Sequence, residues 1–369
     1  MTASVDVIVI GGGAVGAACA RELAGRGRQV LVLDRGTEEG QAWRAAAGML
    51  AAQTDGSADD PLFELGLAGR ELIYTLAPEL EASTGIACAL RRDGIAKLAL
   101  SEEELAPLKA KVAWQRQQGH LVDWLDPAET RARYPWAGKA LGALWAPQDG
   151  AIDPSQLVRA LLADAKAHGA KVVPAPVTAL VREGDRITGV RTANESYHTE
   201  LVILAAGAWS GRIEGLPRPL SVEPVRGQMA AFPWPGGVEP AIVQGAGVYV
   251  VPRGDEAIVG STMEAAGFRA ETTSAGLAAL FGKATALVPA LAQLEVRRTW
   301  AGLRPGTPDG FPIIGREPRA EGLWYATGHG REGILLSVVT GRIIGQLLTG
   351  ETPMVEDLSV VRPERFWSW

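Results

Sequence analysis

The chain has 369 residues, of which 47% are hydrophobic and 21% are charged. This balance is typical of a globular protein, and the length suits one large domain or two closely associated domains. The net charge of −6 gives no electrostatic reason to expect nucleic acid as a partner. With only two cysteines, Cys19 and Cys88, the sequence indicates a reducing compartment and no disulfide scaffold.

No stretch approaches the ~20 apolar residues that a membrane span needs. The first residues lead directly into a predicted strand, without the pattern of a signal peptide. We therefore expect a cytoplasmic protein without a membrane partner, and we predict no metal site.

The beginning of the chain predicts a dinucleotide-binding β-α-β unit. Residues 5–10 form an apolar run without alternation, which is typical of a parallel strand buried on both faces. Gly11, Gly13 and Gly16 follow as G-x-G-x-x-G, which permits a tight turn, close approach of a pyrophosphate and close helix–strand packing. Asp34 ends the next predicted strand, where a carboxylate would bind a ribose hydroxyl.

This motif alone leaves FAD and NAD open. Asp34 without a neighbouring basic pair argues against NADP, although the adjacent Arg35 weakens that argument. Residues 45–52 contain five alanines, one glycine and one methionine. Such small side chains would let the backbone lie flat against a planar ligand, but a tightly packed helix start explains them equally well.

Further along the chain, several local patterns predict helix starts and a hairpin. Ser101 precedes three acidic residues and predicts a capped helix. Asp126 predicts another N-cap, and Asp153 followed by Pro154 predicts a third. Residues 248–262 read as two strands joined by a Gly-Asp turn, which predicts a β-hairpin.

The order of these elements predicts an α/β fold of two domains, with β-α-β character returning around residues 150–210. The Rossmann-type nucleotide-binding domain would be discontinuous and would contain residues 1–85, 145–218 and 300–369. A mainly antiparallel-sheet substrate domain would contain residues 86–144 and 219–299.

Four separated segments together resemble a known family. They are the opening glycine motif, Ala-Ala-Ala-Gly-Met-Leu at 45–50, Trp-Ala-Gly-Leu-Arg-Pro-Gly at 300–306, and the segment 328–336 that begins Gly-His. In this order they resemble the FAD-dependent glycine oxidases of the ThiO type, within the wider group of D-amino acid oxidases and DadA-like flavoproteins. The resemblance covers nearly the whole chain.

The resemblance implies FAD, bound without a covalent bond. The related sarcosine oxidases attach flavin through a cysteine in the C-terminal half, and this chain has none there. The implied reaction transfers a hydride from Cα of a small amino acid to the flavin. The imine then hydrolyses to a 2-oxo acid (glyoxylate from glycine) and ammonia, and O2 is reduced to H2O2. A link to thiamine biosynthesis and a homo-oligomer, a tetramer in the family resembled, are also implied.

The resemblance also implies most of the cofactor contacts. Those predicted contacts are Ala14, Val15, Asp34, Arg35, Ala42, Trp43, Ala47, Gly48, Met49, Val177, His329, Gly330, Arg331, Glu332, Gly333, Ile334 and Leu335. The glycine motif and Gly207, which lies in a small-residue turn after a buried strand, complete the predicted cofactor-binding set.

Substrate contacts are predicted at Arg304, Tyr249, Arg331, Met263 and Met49. Arg304 and Tyr249 are the residues to which we assign the catalytic arrangement. A guanidinium binds a carboxylate through two parallel hydrogen bonds, and the tyrosine hydroxyl could add another. Alternatives are a structural arginine, a tyrosine packed in a sheet and methionines that only fill the core.

The chain departs from the family pattern around the expected substrate site. Gly330 and Glu332 replace an aromatic residue and an asparagine, and Gly247-Val248 replaces a histidine and a small residue. Glycine is therefore one candidate substrate beside sarcosine, D-alanine and D-proline. A D-amino acid dehydrogenase that passes electrons to a quinone is the alternative function. We do not expect His329 to be a general base, because hydride transfer from a neutral amine needs none at the carbon.

Overall fold

The structure is a computed structural model that describes residues 5–36, 39–237 and 239–366. Within these residues the fold is mixed α/β, as predicted, and is built on a six-stranded and a nine-stranded sheet. None of the described helices has the length and apolar character needed to cross a bilayer.

The described strands, in chain order, are β1 (Val7–Ile10), β2 (Val30–Asp34), β3 (Gly40–Gln41), β4 (Met49–Leu50), β5 (Ile95–Leu98), β6 (Asp123–Leu125), β7 (Ala143–Ala146), β8 (Gly150–Ala151), β9 (Lys171–Pro174), β10 (Val177–Glu183), β11 (Arg186–Thr192), β12 (Ser196–His198), β13 (Val202–Leu204), β14 (Glu223–Pro233), β15 (Ile242–Gly245), β16 (Val248–Arg253), β17 (Glu256–Gly260), β18 (Arg298–Gly306), β19 (Ile313–Arg316) and β20 (Leu323–Thr327).

The described α-helices are α1 (Ala14–Gly25), α2 (Ala42–Ala45), α3 (Ala52–Asp55), α4 (Phe63–Thr84), α5 (Glu102–Gln117), α6 (Pro127–Arg133), α7 (Pro154–Ala167), α8 (Ser274–Leu287) and α9 (Ser337–Thr349). Short 3₁₀ turns occupy Gly207–Arg212, Pro289–Gln293, Ser359–Val361 and Pro363–Phe366.

The six-stranded sheet has the order β19-β20-β13-β1-β2-β9 and contains the predicted β-α-β unit. Strand β1 pairs in parallel with β2 and β13, so Ile8 lies opposite Leu31 and Val202. Val7 and Val9 pack against helices on one face, whereas Ile8 packs on the other face against residues from β10–β12. Because both faces are covered, the apolar run without alternation is explained.

The nine-stranded sheet has the order β3-β18-β14-β17-β16-β15-β5-β7-β6 and is mainly antiparallel. Helix α8 packs on one face, against residues that include Phe232 and Val250. The other face carries Met229, Tyr249 and Trp300, which form a separate apolar cluster with Met49. This second face therefore points toward the residues that follow β3 in the chain.

The division into two domains stays a prediction. The structure does show which strands belong to each sheet. Strands β5–β7 and β14–β17 all belong to the nine-stranded sheet, whereas β3 and β18 join the same sheet from parts of the chain assigned to the nucleotide-binding domain. Strands β10–β12 form a small antiparallel sheet of their own, so the β-α-β character of 150–210 is interrupted there.

Two of the three predicted helix caps are present in the structure. Asp153 and Asp126 cap α7 and α6, and Asp126 forms a capping box with Glu129. Ser101 precedes α5 as predicted, but its hydroxyl makes no capping hydrogen bond; the carboxylate of Glu104 instead accepts the N–H of Leu100 at 2.7 Å. Helix α9 begins at Ser337, and the residues that precede it are wound in turns.

A buried ion pair fixes the segment that follows Met49. The carboxylate of Asp149 lies 2.8 Å from Nη1 of Arg70, and both side chains are almost fully buried. The same carboxylate accepts the backbone N–H groups of Gln53 and Thr54. Helix α3, helix α4 and the turn before β8 are thereby held together at one point.

Replacing Asp149 with alanine should lower the free energy of unfolding by about 3–5 kcal/mol, because the buried Arg70 would keep only the exposed Glu71 as an acidic partner and the N–H groups that Asp149 accepts would lose their acceptor. Urea unfolding measures the change. Asp123→Ala is the control, since Asp123 pairs with Arg116 at the surface and should cost less than about 1 kcal/mol. Equal losses in the two variants would contradict a structural role for the buried pair.

Candidate active site

A cleft of about 720 Å³ lies between the carboxyl ends of the parallel strands and one face of the nine-stranded sheet. Residues after β1, β2 and β13 line one side, and Tyr249 and Arg304 line the other. In open α/β sheets, ligands bind at the carboxyl ends of the strands, and this volume is within the range of cofactor sites. The cleft is therefore the candidate active site.

The glycine loop is packed so tightly that side chains would not fit at two of its positions. Gly11 has φ of +101°, and a Cβ there would lie 2.4 Å from the carbonyl oxygen of Ala205. A Cβ at Gly16 would lie 1.9 Å from the carbonyl oxygen of Gly11. The loop and the start of α1 therefore lie close to the strands, with their N–H groups near the cleft.

The predicted ribose-binding carboxylate lies at the edge of the cleft. Asp34 ends β2, and its two carboxylate oxygens accept the N–H groups of Gly12 and Gly36, at 2.7 and 2.8 Å. Its neighbour Arg35 places its guanidinium 4.0 Å above the ring of Trp209. These contacts hold both charged side chains at one end of the cleft.

The alanine-rich segment runs along the cleft as extended backbone after α2. The indole N–H of Trp300 donates to the carbonyl of Ala45 at 3.1 Å, and Arg253 donates to the carbonyls of Ala46 and Ala47. Gly48 has φ of +81°, and a Cβ there would lie 1.9 Å from the carbonyl oxygen of Ile152. The segment is thus extended backbone between α2 and α3 in the lining of the cleft, and its contact with a ligand stays a prediction.

The turn after β20 closes the cleft on the side of α9. His329 is buried, and its Nε2 lies 2.9 Å from the hydroxyl oxygen of Thr340. Burial lowers the pKa of His329 to about 3, so the imidazole is neutral at ordinary pH. The N–H of Gly330 donates to the carbonyl of Pro305 at 2.9 Å, which joins this turn to the residue after Arg304.

Arg304 presents a partly buried guanidinium to the cleft. Its Nη2 donates to the hydroxyl of Ser261 at 2.6 Å, and its Nη1 donates to the carbonyl of Thr262 at 3.2 Å. Burial lowers the pKa of Arg304, but an arginine side chain keeps its proton in proteins. Within the described residues, neither hydrogen-bond partner is an acid, so the positive charge is available to an anionic ligand.

Gly227 makes room for that guanidinium. A Cβ at Gly227 would lie 2.2 Å from Nη1 of Arg304. The hydroxyl of Tyr249 lies 3.5 Å from Sδ of Met229, on the same side of the sheet. Sequence analysis identified Tyr249 and Arg304 but missed Gly227 and Met229, because single residues inside strands give no separate signal.

A second chamber of about 700 Å³ adjoins the cleft. The residues common to both linings are Ala51, Asp55, Tyr249, Ser261, Arg331 and Glu332. Arg331 lies 3.2 Å from the carboxylate of Asp55, which also lies 3.3 Å from Nζ of Lys97. Arg331 is therefore already paired with an acid, unlike Arg304.

The structure brings most of the predicted site residues together around the cleft. Those that line it are Gly11, Gly13, Ala14, Val15, Asp34, Arg35, Ala42, Trp43, Ala47, Gly48, Met49, Val177, Gly207, Tyr249, Arg304, His329, Gly330, Arg331, Glu332, Gly333 and Ile334. Gly16 lies behind the glycine loop, whereas Leu335 and the 60% exposed Met263 line only the second chamber. The individual roles stay predictions.

Comparison with known proteins identifies the family. Residues 6–347 match the family model described as "FAD dependent oxidoreductase". The chain belongs to this family. Glycine oxidase from Geobacillus kaustophilus is 36% identical over 94% of each chain. The crystal structure of that species' glycine oxidase has a TM-score of 0.94 at 34% identity and covers 100% of both chains.

A further relative of this FAD-dependent oxidoreductase is the bifunctional protein ThiO/ThiG of Synechocystis sp., which is 34% identical. That match covers 99% of this chain and 55% of the longer relative. The resemblance to glycine oxidases within the FAD-dependent family is thus confirmed, and so is FAD as the cofactor of the family.

Two residues of the FAD-dependent oxidoreductase that sequence reasoning missed are Trp300 and Arg253, which hold the alanine-rich segment. Trp300 lay inside the recognised segment 300–306, but its indole gave no indication of its partner. Arg253 ends a strand of the predicted hairpin, and only the sheet topology brings it beside Ala47.

Glu332 is an acid in an unusual position, since it lines both the cleft and the second chamber. Burial raises the pKa of Glu332 to about 7, with a further contribution from Asp55, while Arg331 acts in the opposite direction. The native protein therefore retains this proton between pH 4.5, the ordinary pKa, and about pH 7.

Between those pH values the folded state binds one proton more than the unfolded state at this residue. Stability therefore falls as pH rises, by at most about 1.4 kcal/mol per pH unit. Glu332→Gln should remove this contribution, which urea unfolding at a series of pH values measures. Glu79→Gln, at an exposed position of α4, should retain the wild-type slope. An unchanged slope in Glu332→Gln would show that the group titrates normally.

Proposed function

We propose that this enzyme oxidises small amino acids, glycine among them, with FAD as electron acceptor and O2 as final oxidant. The observation that carries the proposal is the partly buried guanidinium of Arg304 in the lining of the cleft. A positive charge whose described hydrogen-bond partners are a hydroxyl and a carbonyl suits a carboxylate ligand. The glycine oxidase relatives support the same substrate class.

The cleft fits FAD in its shape and in its donors. The glycine loop and the start of α1 would bind the pyrophosphate, Asp34 the ribose, and the segments around Ala47 and Gly330 the two sides of the ring system. When bound there, FAD supplies a two-electron acceptor for the hydride of the substrate's Cα and passes the electrons to O2.

The protein's contribution is mainly to orient the substrate. Arg304 would bind the carboxylate through both Nη atoms, and Tyr249 would donate its hydroxyl to the same group. Because Ser261 and Thr262 hold the guanidinium, the carboxylate position is fixed relative to the cleft. Fixing that end directs Cα–H toward the ring system, and such positioning accounts for much of the rate acceleration in enzymes.

The first experiment is the absorbance spectrum of the purified protein, followed by anaerobic titration with glycine, sarcosine, D-alanine and D-proline. We expect a flavin spectrum that bleaches with at least one of these, and H2O2 and a 2-oxo acid when air is admitted. A colourless protein would contradict the cofactor assignment. A flavin that none of these compounds reduces would contradict the proposed substrate class.

A D-amino acid dehydrogenase that reduces a quinone is less supported, because the relatives named above include glycine oxidases. Mixing the reduced enzyme with air-saturated buffer separates the two functions. Rapid reoxidation by O2 is expected, whereas slow reoxidation with fast reduction of a quinone dye would indicate the dehydrogenase. A role in thiamine biosynthesis, a tetrameric assembly and a cytoplasmic location remain predictions from the family.

Arg304→Ala should raise the KM for glycine roughly 10- to 100-fold, because a hydrogen bond between charged groups contributes about 1.5–3 kcal/mol. Steady-state peroxide assays measure it. Arg298→Ala is the matched control on the same strand, where the arginine pairs with Glu256 outside the cleft. An unchanged KM in Arg304→Ala would remove this residue from the site.

Gly227→Ala should also weaken substrate binding while leaving the FAD content unchanged. The added methyl group would displace the guanidinium of Arg304, and a misplaced binding group should raise KM by about tenfold or more. The flavin absorbance of the purified variant and the KM for glycine are the two measurements. Gly236→Ala is the control, since no atom lies within 4 Å of its Cβ position. Loss of flavin in Gly227→Ala would indicate a wider disruption.

A further inference from the structure

The second chamber begins beside Tyr249, on the side away from Arg304. Tyr249 on β16 lies opposite Gln244 on β15, and Gln244 lies opposite Lys97 on β5. Residues that pair directly across strands share a face of the sheet. The side chains of Gln244 and Tyr249 therefore both point toward the region where cleft and chamber meet.

Gln244 has a buried amide with one unused hydrogen-bonding atom. The residue is only 4% exposed, and its Nε2 lies 3.6 Å from Sδ of Met49. Its Oε1 is buried without a hydrogen-bond partner among the residues that the structure describes. Buried polar atoms in native proteins are nearly always paired with protein groups or water, so an unpaired acceptor in the lining of a chamber is a place where water or a ligand can donate a hydrogen bond.

The two lysines and Arg331 in the lining of the chamber already have partners. Nζ of Lys97 donates to the carbonyl of Thr54 and to the carboxylate of Asp55, and Nζ of Lys111 donates to the same carbonyl at 2.9 Å. Arg331 also pairs with Asp55. Oε1 of Gln244 is a buried, uncharged acceptor in this lining that has no partner among the described residues, and it suits a neutral donor.

Glycine held at Arg304 is too short to use this acceptor. Strand β17, which leads into Ser261, is two strand spacings from β15, or roughly 10 Å. Beyond its carboxylate, glycine has only its α-carbon and its nitrogen. A ligand that binds Arg304 and also reaches Gln244 must carry a substituent that extends into the second chamber.

We propose that the enzyme accepts amino acids whose substituent ends in a neutral hydrogen-bond donor, a hydroxyl or an amide N–H, and that Oε1 of Gln244 accepts this hydrogen bond. The inference rests on the proposed function, because Arg304 must hold the carboxylate. It deepens that function by naming the class of substituent that the chamber selects. Gln244 is accordingly a specificity-determining residue.

Two isosteric pairs of compounds test the proposal on the FAD-bound enzyme. D-Homoserine and D-norvaline differ in a terminal hydroxyl on the Cα substituent, and N-(2-hydroxyethyl)glycine and N-propylglycine differ in the same way on nitrogen. We expect the hydroxyl compound of at least one pair to have a kcat/KM at least fivefold higher. The pair that shows the preference tells which substituent enters the chamber.

Gln244→Leu should reduce this preference to within twofold, because the side chain no longer offers an acceptor. Gln118→Leu, the same change at an exposed position after α5, should keep the wild-type preference. Gln244→Met retains the length of the side chain and provides a second test if the leucine variant loses its flavin. The spectral perturbation of the flavin by each compound gives binding separately from turnover.

Three outcomes would overturn one or both proposals. If glycine is oxidised but neither pair shows a preference in the wild type, the inference is wrong and the proposed function stands. If the preference survives in Gln244→Leu and Gln244→Met, another residue supplies the acceptor and the inference is wrong. If no compound, glycine included, reduces the flavin, the proposed function fails and the inference fails with it.

Discussion

The arrangement of the site depends on one partly buried guanidinium whose described hydrogen-bond partners are uncharged. Removing a charge from water is costly, and proteins usually offset the cost with an acid. Around Arg304 the described partners are a hydroxyl and a carbonyl, which fix its orientation without neutralising it. In the proposed function the offsetting anion is the carboxylate of the substrate, which matches the planar geometry of the group.

The nine-stranded sheet explains how such a residue is kept in place. Because Gly227 has no side chain, the guanidinium of Arg304 can occupy the space beside it. The hairpin formed by β16 and β17 brings Tyr249 and Ser261 to the same edge of the cleft. The arginine next to it, Arg331, is paired with Asp55 and partly exposed. Two arginines with similar sequence evidence thus have different electrostatic environments, and only the structure distinguishes them.

Much of the fold could be predicted because the deciding signals are local. The apolar run of β1, the glycine loop and the caps Asp126 and Asp153 each depend on residues within a few positions. Ser101 makes no side-chain cap, and the carboxylate of Glu104 accepts the N–H of Leu100 at this helix start.

Residues of the site could be predicted only where they lie within recognisable sequence motifs. Arg304 and the turn at His329 lie in recognisable segments, but Gly227, Arg253 and Gln244 act through partners that are distant in the chain. The sequence did not single out Gln244, which lies in the buried strand Ile242–Gly245. The hydrogen bonding of the Gln244 amide depends on how Met49 packs against it, and the sequence does not indicate that contact.

The contacts of Trp300 and Arg253 with the alanine-rich segment have a thermodynamic consequence. One wall of the cofactor cleft is held in position by side chains of the opposite sheet, so the cleft is complete only while the two sheets are docked. A ligand that binds only the complete cleft stabilises this docking by mass action. Release of the flavin on warming should then accompany separation of the two sheets, so the flavin absorbance would report how much of the protein remains folded.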